Sequence, residues 1–106
     1  MALTSDIRLT VAKRVQRDSE FRGALLAEAV NACLACDTRA GKTMLRDLVN
    51  ATVGFEGLAA EVKKPGKSLH HVLAPHGNPS AENFFDIIRA LQKKTRVRLR
   101  VTAELS

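Results

Sequence analysis

Tryptophan and tyrosine are absent from the chain, and its aromatic content is four phenylalanines. Modules of the RRM and OB kinds stack bases on exposed aromatic rings, so this shortage argues against them. No stretch approaches the ~18 uninterrupted apolar residues of a membrane-spanning helix, and no membrane association is expected. The opening MALTSDIRLTVAKRV scatters acids and bases where a secretory signal would place an apolar run, so no signal peptide is expected. Only two cysteines occur. Without an export signal they suit a reducing compartment and free thiols, and a cytoplasmic location follows as the expectation.

What is present fits one globular domain: 106 residues, 45% hydrophobic and 26% charged. The net charge of +6 is unevenly placed, with nine Lys/Arg against three Asp/Glu in residues 61–100 and eight against seven in residues 1–60. A near-neutral half joined to a basic half is the pattern of a scaffold carrying a polyanion-binding face. A solvated surface is the plainer reading of the same charges.

Hydrophobic spacing predicts helices over most of the chain. Ile7, Leu9 and Val11 alternate as a strand would, whereas Ile7, Val11 and Val15 repeat every four residues; helix is favoured because no turn signal intervenes. Asp18-Ser19 offers an N-cap for a long helix to about Cys36, with Phe21, Leu25, Leu26, Ala29, Val30, Cys33 and Leu34 as a broad apolar stripe. Asp37-Thr38 reads as a loop and Gly41 as a break before a helix from about Thr43 to Val53, ended by Gly54. Ala81 to about Lys93 spaces Phe84, Ile87, Ile88 and Leu91 as a buried helix face.

Between these lies FEGLAAEVKKPGKSLHHVLAPHGNP, residues 55–79. Leu58, Ala59 and Val62 form one short helical stripe, Pro65-Gly66 interrupts it, and Leu69, Val72 and Leu73 form a second. Two short helices joined by a tight turn are a helix-turn-helix pattern, whose second helix enters the DNA major groove. Its outer face here carries Lys67, Ser68, His70 and His71, and no acid occurs between Lys63 and Pro79. The candidate DNA contacts are Lys63, Lys64, Lys67, Ser68, His70, His71 and Asn78, with Lys63 and Lys64 on phosphates.

Leu-Ala-Ala-Glu-Val, the turn, Ser-Leu-His-His-Val-Leu-Ala and His-Gly-Asn-Pro-Ser-Ala-Glu-Asn-Phe-Phe resemble the lambda-repressor/Cro-like (XRE) helix-turn-helix family, and within it the HigA-type antitoxins. The resemblance runs over Leu45 to Val101 and is thinner upstream. It departs at the turn, where Lys63 and Lys64 stand in place of the family's glycine and apolar residue. The resemblance implies sequence-specific binding to operator DNA and a RelE/ParE-like toxin as partner, with the near-neutral N-terminal helices as the better candidates for the toxin-facing surface.

Residues 96–102 change period: Val97, Leu99 and Val101 alternate with Arg96, Arg98, Arg100 and Thr102. This reads as a strand, and a lone strand needs a partner for its backbone groups. A second copy of the chain is the favoured partner, which makes Val97, Leu99 and Val101 dimerisation residues. The expected architecture is therefore an all-α bundle containing a helix-turn-helix, with a short C-terminal β-strand paired across a homodimer. Residues 1–54 supply N-terminal helices open to a partner, 55–93 the DNA-reading unit and 96–102 the strand.

Two other motifs lead elsewhere. Cys33-x-x-Cys36 with His71-x4-His76 has the ligand types of a zinc site, but the cysteines fall in an alanine-rich helix rather than a knuckle, so no metal or other cofactor is expected. Gly41-Lys42-Thr43 ends like a P-loop, yet its leading glycine position is Cys36 and no strand precedes it. No nucleophile–base–acid arrangement is visible, so no catalytic residue is expected. The alternatives to a DNA-binding regulator are a helix-turn-helix-like protein-interaction module and a small metal-binding protein.

Overall fold

The computed structural model describes residues 5–105. Six helices follow in order: α1 Ser5–Arg17, α2 Ser19–Leu34, α3 Thr38–Ala51, α4 Gly54–Val62, α5 Gly66–Val72 and α6 Ala81–Thr95. Three of them start on side-chain caps. Asp18 accepts from the Phe21 amide at 3.1 Å, Asp37 from Ala40 at 3.3 Å, and Ser80 from Asn83 at 3.1 Å. Each cap satisfies an amide that has no acceptor inside its own helix. The Phe21 amide is also the main reason that the Asp18 carboxyl sits below its usual range.

The ambiguous N-terminal segment is helical. Val15 is fully buried and Val11 half-buried, whereas Ile7 and Leu9 are exposed. The inward face follows the four-residue repeat from Val11 to Val15, while Ile7, its first member, stays exposed. Behind it, Leu26 of α2, Leu45 and Leu48 of α3, Leu58 of α4, and Ile87 and Leu91 of α6 are fully buried in one core. Arg22 ties the corners together. Its Nε donates to the Thr95 carbonyl at 3.2 Å and its Nη1 to the Val15 carbonyl at 2.9 Å, so one guanidinium closes the carbonyl ends of α6 and α1.

The expected break at Gly41 is not there: α3 begins at Thr38 and runs through it. The Asp37 cap starts the helix early, and Gly41 is kept because α2 passes too close for a side chain. A Cβ at this position would lie 2.8 Å from the Ala29 carbonyl oxygen and would collide with the Cys33 sulfur. On an exposed helix Gly→Ala stabilises by about 1 kcal/mol. Here Gly41→Ala is expected to destabilise by about 1–3 kcal/mol, measured by urea unfolding, because backbone cannot move aside.

The expected C-terminal strand is not seen in the single copy. Among the described residues no strand forms, and 96–102 is irregular. Arg96 closes α6 in the left-handed conformation (φ 59°), the Val97 amide returns to the Gln92 carbonyl at 3.1 Å, and the Leu99 amide donates to Gln92 Oε1 at 2.9 Å. Val97 and Leu99 pack against the chain's own core, while Val101 is 93% exposed. The alternation seen in the sequence is real as burial. A single copy simply offers this segment no strand to pair with, and one glutamine side chain answers its inward amide instead.

Candidate nucleic-acid interface

Helices α4 and α5 pack through Phe55, Leu58, Leu69 and Leu73, all buried. The link between them turns on Lys63, which adopts the left-handed conformation (φ 58°, ψ 45°) while its amide returns to the Ala59 carbonyl. The Lys64 amide also reaches Ala59, at 3.2 Å. A lysine here takes the left-handed conformation that favours glycine, at a cost of roughly 1–2 kcal/mol for an L-residue. Pro65 then starts α5, its carbonyl accepting from Ser68 at 3.0 Å. Replacing Lys63 by glycine is expected to raise stability by a few tenths to about 1 kcal/mol, since relief of the strain exceeds the extra chain entropy lost on folding. Denaturant midpoints of the two proteins check this.

Lys67, Ser68, His70 and His71 on α5 are exposed, as are Lys63 and Asn78. Their situations differ. The His70 ring stacks on Phe55 with centroids 3.7 Å apart and planes 20° from parallel, so it fastens α5 to the start of α4. His71 meets His76 edge-to-face at 6.2 Å. Lys64 is half-buried and held by the Asn83 side chain and by Asp86, 3.7 Å away, both on α6. Lys64 therefore braces the turn against α6 instead of standing free beside Lys63.

Much of the positive charge counted in residues 61–100 is neutralised within the fold. Glu61 takes Lys93 at 2.8 Å and Lys94 at 3.4 Å, while Asp86 takes Arg89 at 3.5 Å as well as Lys64. Among the described residues no carboxylate pairs with Lys63 or Lys67. These two flank the turn, and in residues 61–100 they share the lack of a carboxylate partner among the described residues with Arg96, Arg98 and Arg100 of the tail. The Lys93 hydrogen bond holds the Glu61 carboxyl below its usual value of 4.5, against a smaller opposing push from desolvation, and Lys94 adds to the lowering. A carboxyl lowered on folding contributes stability above its unfolded pKa, and that contribution is lost as pH falls through the folded value. Glu61→Gln is accordingly expected to flatten the fall of Tm on acidification below about pH 4.5, read by thermal melts across that range.

A residue that sequence reasoning passed over supports this surface from behind. Lys42 is only 6% exposed, and its ammonium donates to the carbonyls of Pro75 at 3.1 Å and Gly77 at 2.5 Å. It anchors the segment that leaves α5. Gly77 is buried there with no room for a side chain: a Cβ would fall 2.9 Å from the Val72 carbonyl oxygen. The signal in the sequence was the register of Lys42, three residues before Leu45 on the buried face of α3.

The cysteines do not join the histidines. Among the described residues no three His, Cys, Asp or Glu side chains converge as a metal site would need. Cys36 closes α2 with φ 66° and is exposed, and burial pushes the half-buried Cys33 thiol above its ordinary range despite the nearby Lys42 charge. Among the described residues no helix is long and apolar enough to cross a membrane. No protein-family model, curated protein or solved structure matches the chain.

Proposed function

We propose that the chain is a sequence-specific DNA-binding regulator of the lambda-repressor/Cro-like class, acting as a homodimer on operator DNA. The observation that carries this reading is the α4–α5 pair. Its turn is closed by a left-handed Lys63, and its second helix presents Lys67, Ser68 and His71 on an exposed face, which supports a helix-turn-helix reading. In such motifs the second helix meets base edges while flanking cations hold phosphates. Lys63 and Lys67 are assigned to phosphates, Ser68, His71 and Asn78 to the groove, and His70 and Lys64 to holding the unit in shape.

The antitoxin and autorepressor role rests on the HigA-type resemblance. Ile7 and Leu9 on α1 and Leu34 at the end of α2 leave exposed apolar side chains on the N-terminal half, which suits a RelE/ParE-like protein partner there. Dimer pairing is assigned to the tail beyond Arg96. The amides of Val97 and Leu99 are taken by Gln92, so we assign those of Arg98 and Arg100, on the alternate positions, to a second copy, with Val101 as the exposed apolar contact.

The competing reading is a protein-interaction module that has the helix-turn-helix shape without DNA binding. The internal pairing of Lys64, Lys93 and Lys94 favours it, because those charges are no longer available to a polyanion. A gel shift with the DNA upstream of the chain's own gene separates the two. Retardation of that fragment, competed by itself and not by a scrambled duplex, is the result expected of a regulator. Equal competition by both duplexes, or no shift at low salt, leaves the interaction module.

A further inference from the structure

A cleft of about 370 Å³ opens where α2 ends, α3 begins and the chain enters α6. Its lining includes Cys33, Thr38, Lys42, Asn78, Phe84 and Phe85, and no acidic side chain. That volume lies in the range of small-molecule sites, roughly 300–1,000 Å³. Three features give it a chemical preference. Lys42 is a buried cation whose two carbonyl partners leave one of its three donors over. Ser80 and Ala81, also in the lining, bring the positive end of the 15-residue α6 to the same wall. Phe85 is 58% exposed and meets Phe84 edge-to-face at 5.6 Å, an aromatic corner with one side uncovered.

We propose that this cleft binds a small aromatic carboxylate, with the anion on Lys42 and the ring against Phe85. A buried cation without a carboxylate partner selects an anion, and the aromatic corner selects a planar apolar body; neither a bare inorganic anion nor a neutral ring satisfies both. The site also has a mechanical consequence. Lys42 holds the carbonyls of Pro75 and Gly77 behind α5, so an anion that draws the ammonium into the cleft loosens that tether. Effector control of the α5 surface follows, and this coupling rests on the DNA-binding reading, whereas binding in the cleft does not.

The test uses the free 106-residue chain and ¹H–¹⁵N spectra, so it is independent of DNA. Titration with benzoate is expected to move the amides of Cys33, Ala81, Phe84 and Phe85 in one saturable process, and benzamide to bind at least about tenfold more weakly. Phe85→Glu places a carboxylate on an already exposed position, so the fold is kept, and should weaken benzoate by at least about tenfold. In a Cys36→Ser background, benzoate should also slow alkylation of Cys33. The proposal is overturned by the absence of saturable shifts, by equal binding of benzamide, by inorganic phosphate reproducing the benzoate shifts at equal strength, or by Phe85→Glu binding unchanged.

Discussion

Lys42→Met is expected to lower the unfolding free energy by about 2–3 kcal/mol, because it leaves the buried Gly77 carbonyl and the part-buried Pro75 carbonyl without that donor. The methionine keeps most of the length and apolar stem of the lysine, so the loss belongs to the ammonium rather than to packing. The carbonyls concerned are those of Pro75 and Gly77, and the wall behind Gly77 is backbone of His71 and Val72. That segment has no room in which to rearrange toward other donors. Urea unfolding gives the magnitude. Hydrogen exchange locates it: amides of α5 and of residues 73–77 should lose protection more than those of α2 and α3. A uniform loss of protection, or a cost below about 0.5 kcal/mol, would mean that water replaces the ammonium and that Lys42 is not the anchor.

The second large effect concerns the exposed face of α5. Lys67→Ala is expected to weaken operator binding on every duplex alike and to reduce the slope of log K against log salt by about 0.9, the release of one phosphate-bound counterion. His71→Ala is expected to behave differently, relaxing discrimination at one base position by about 1–3 kcal/mol with little change of salt slope. Binding isotherms between about 50 and 200 mM salt, on the operator and on single-base variants, resolve the two signatures. Lys63→Gly adds a contrast within one residue. It should stabilise the fold through the left-handed turn while costing a phosphate contact, so stability and affinity move in opposite directions. An α5 face that does not meet DNA would leave affinity and slope unchanged in all three proteins.

Several features were legible before any coordinates. The cap at Asp18 and the apolar faces of α4, α5 and α6 follow from local chemistry and the 3.6-residue repeat, as does that of α2 apart from Leu34, which is 72% exposed. Gly41 was misread for a physical reason. A glycine that permits close approach of a second helix looks, along the chain, the same as one that ends a helix; only the neighbouring Ala29 carbonyl distinguishes them. The tail's alternation was ambiguous in the same way, since alternating burial is shared by a paired strand and by a segment laid against a core. Charge counting also overstated the basic surface. Whether a lysine is free depends on which carboxylates lie opposite it on other helices, as Glu61 does for Lys93 and Lys94.

By itself the order of residues determined that this chain is helical, where most helices begin, and which side chains face inward, because each follows from interactions within a few residues. Tertiary structure decided what crosses between helices. It buried Lys42 under the loop after α5, set Lys64 against α6 and left Lys63 and Lys67 without a carboxylate partner among the described residues. Those outcomes depend on groups 19 to 35 residues apart in sequence, where neither propensity nor periodicity carries information.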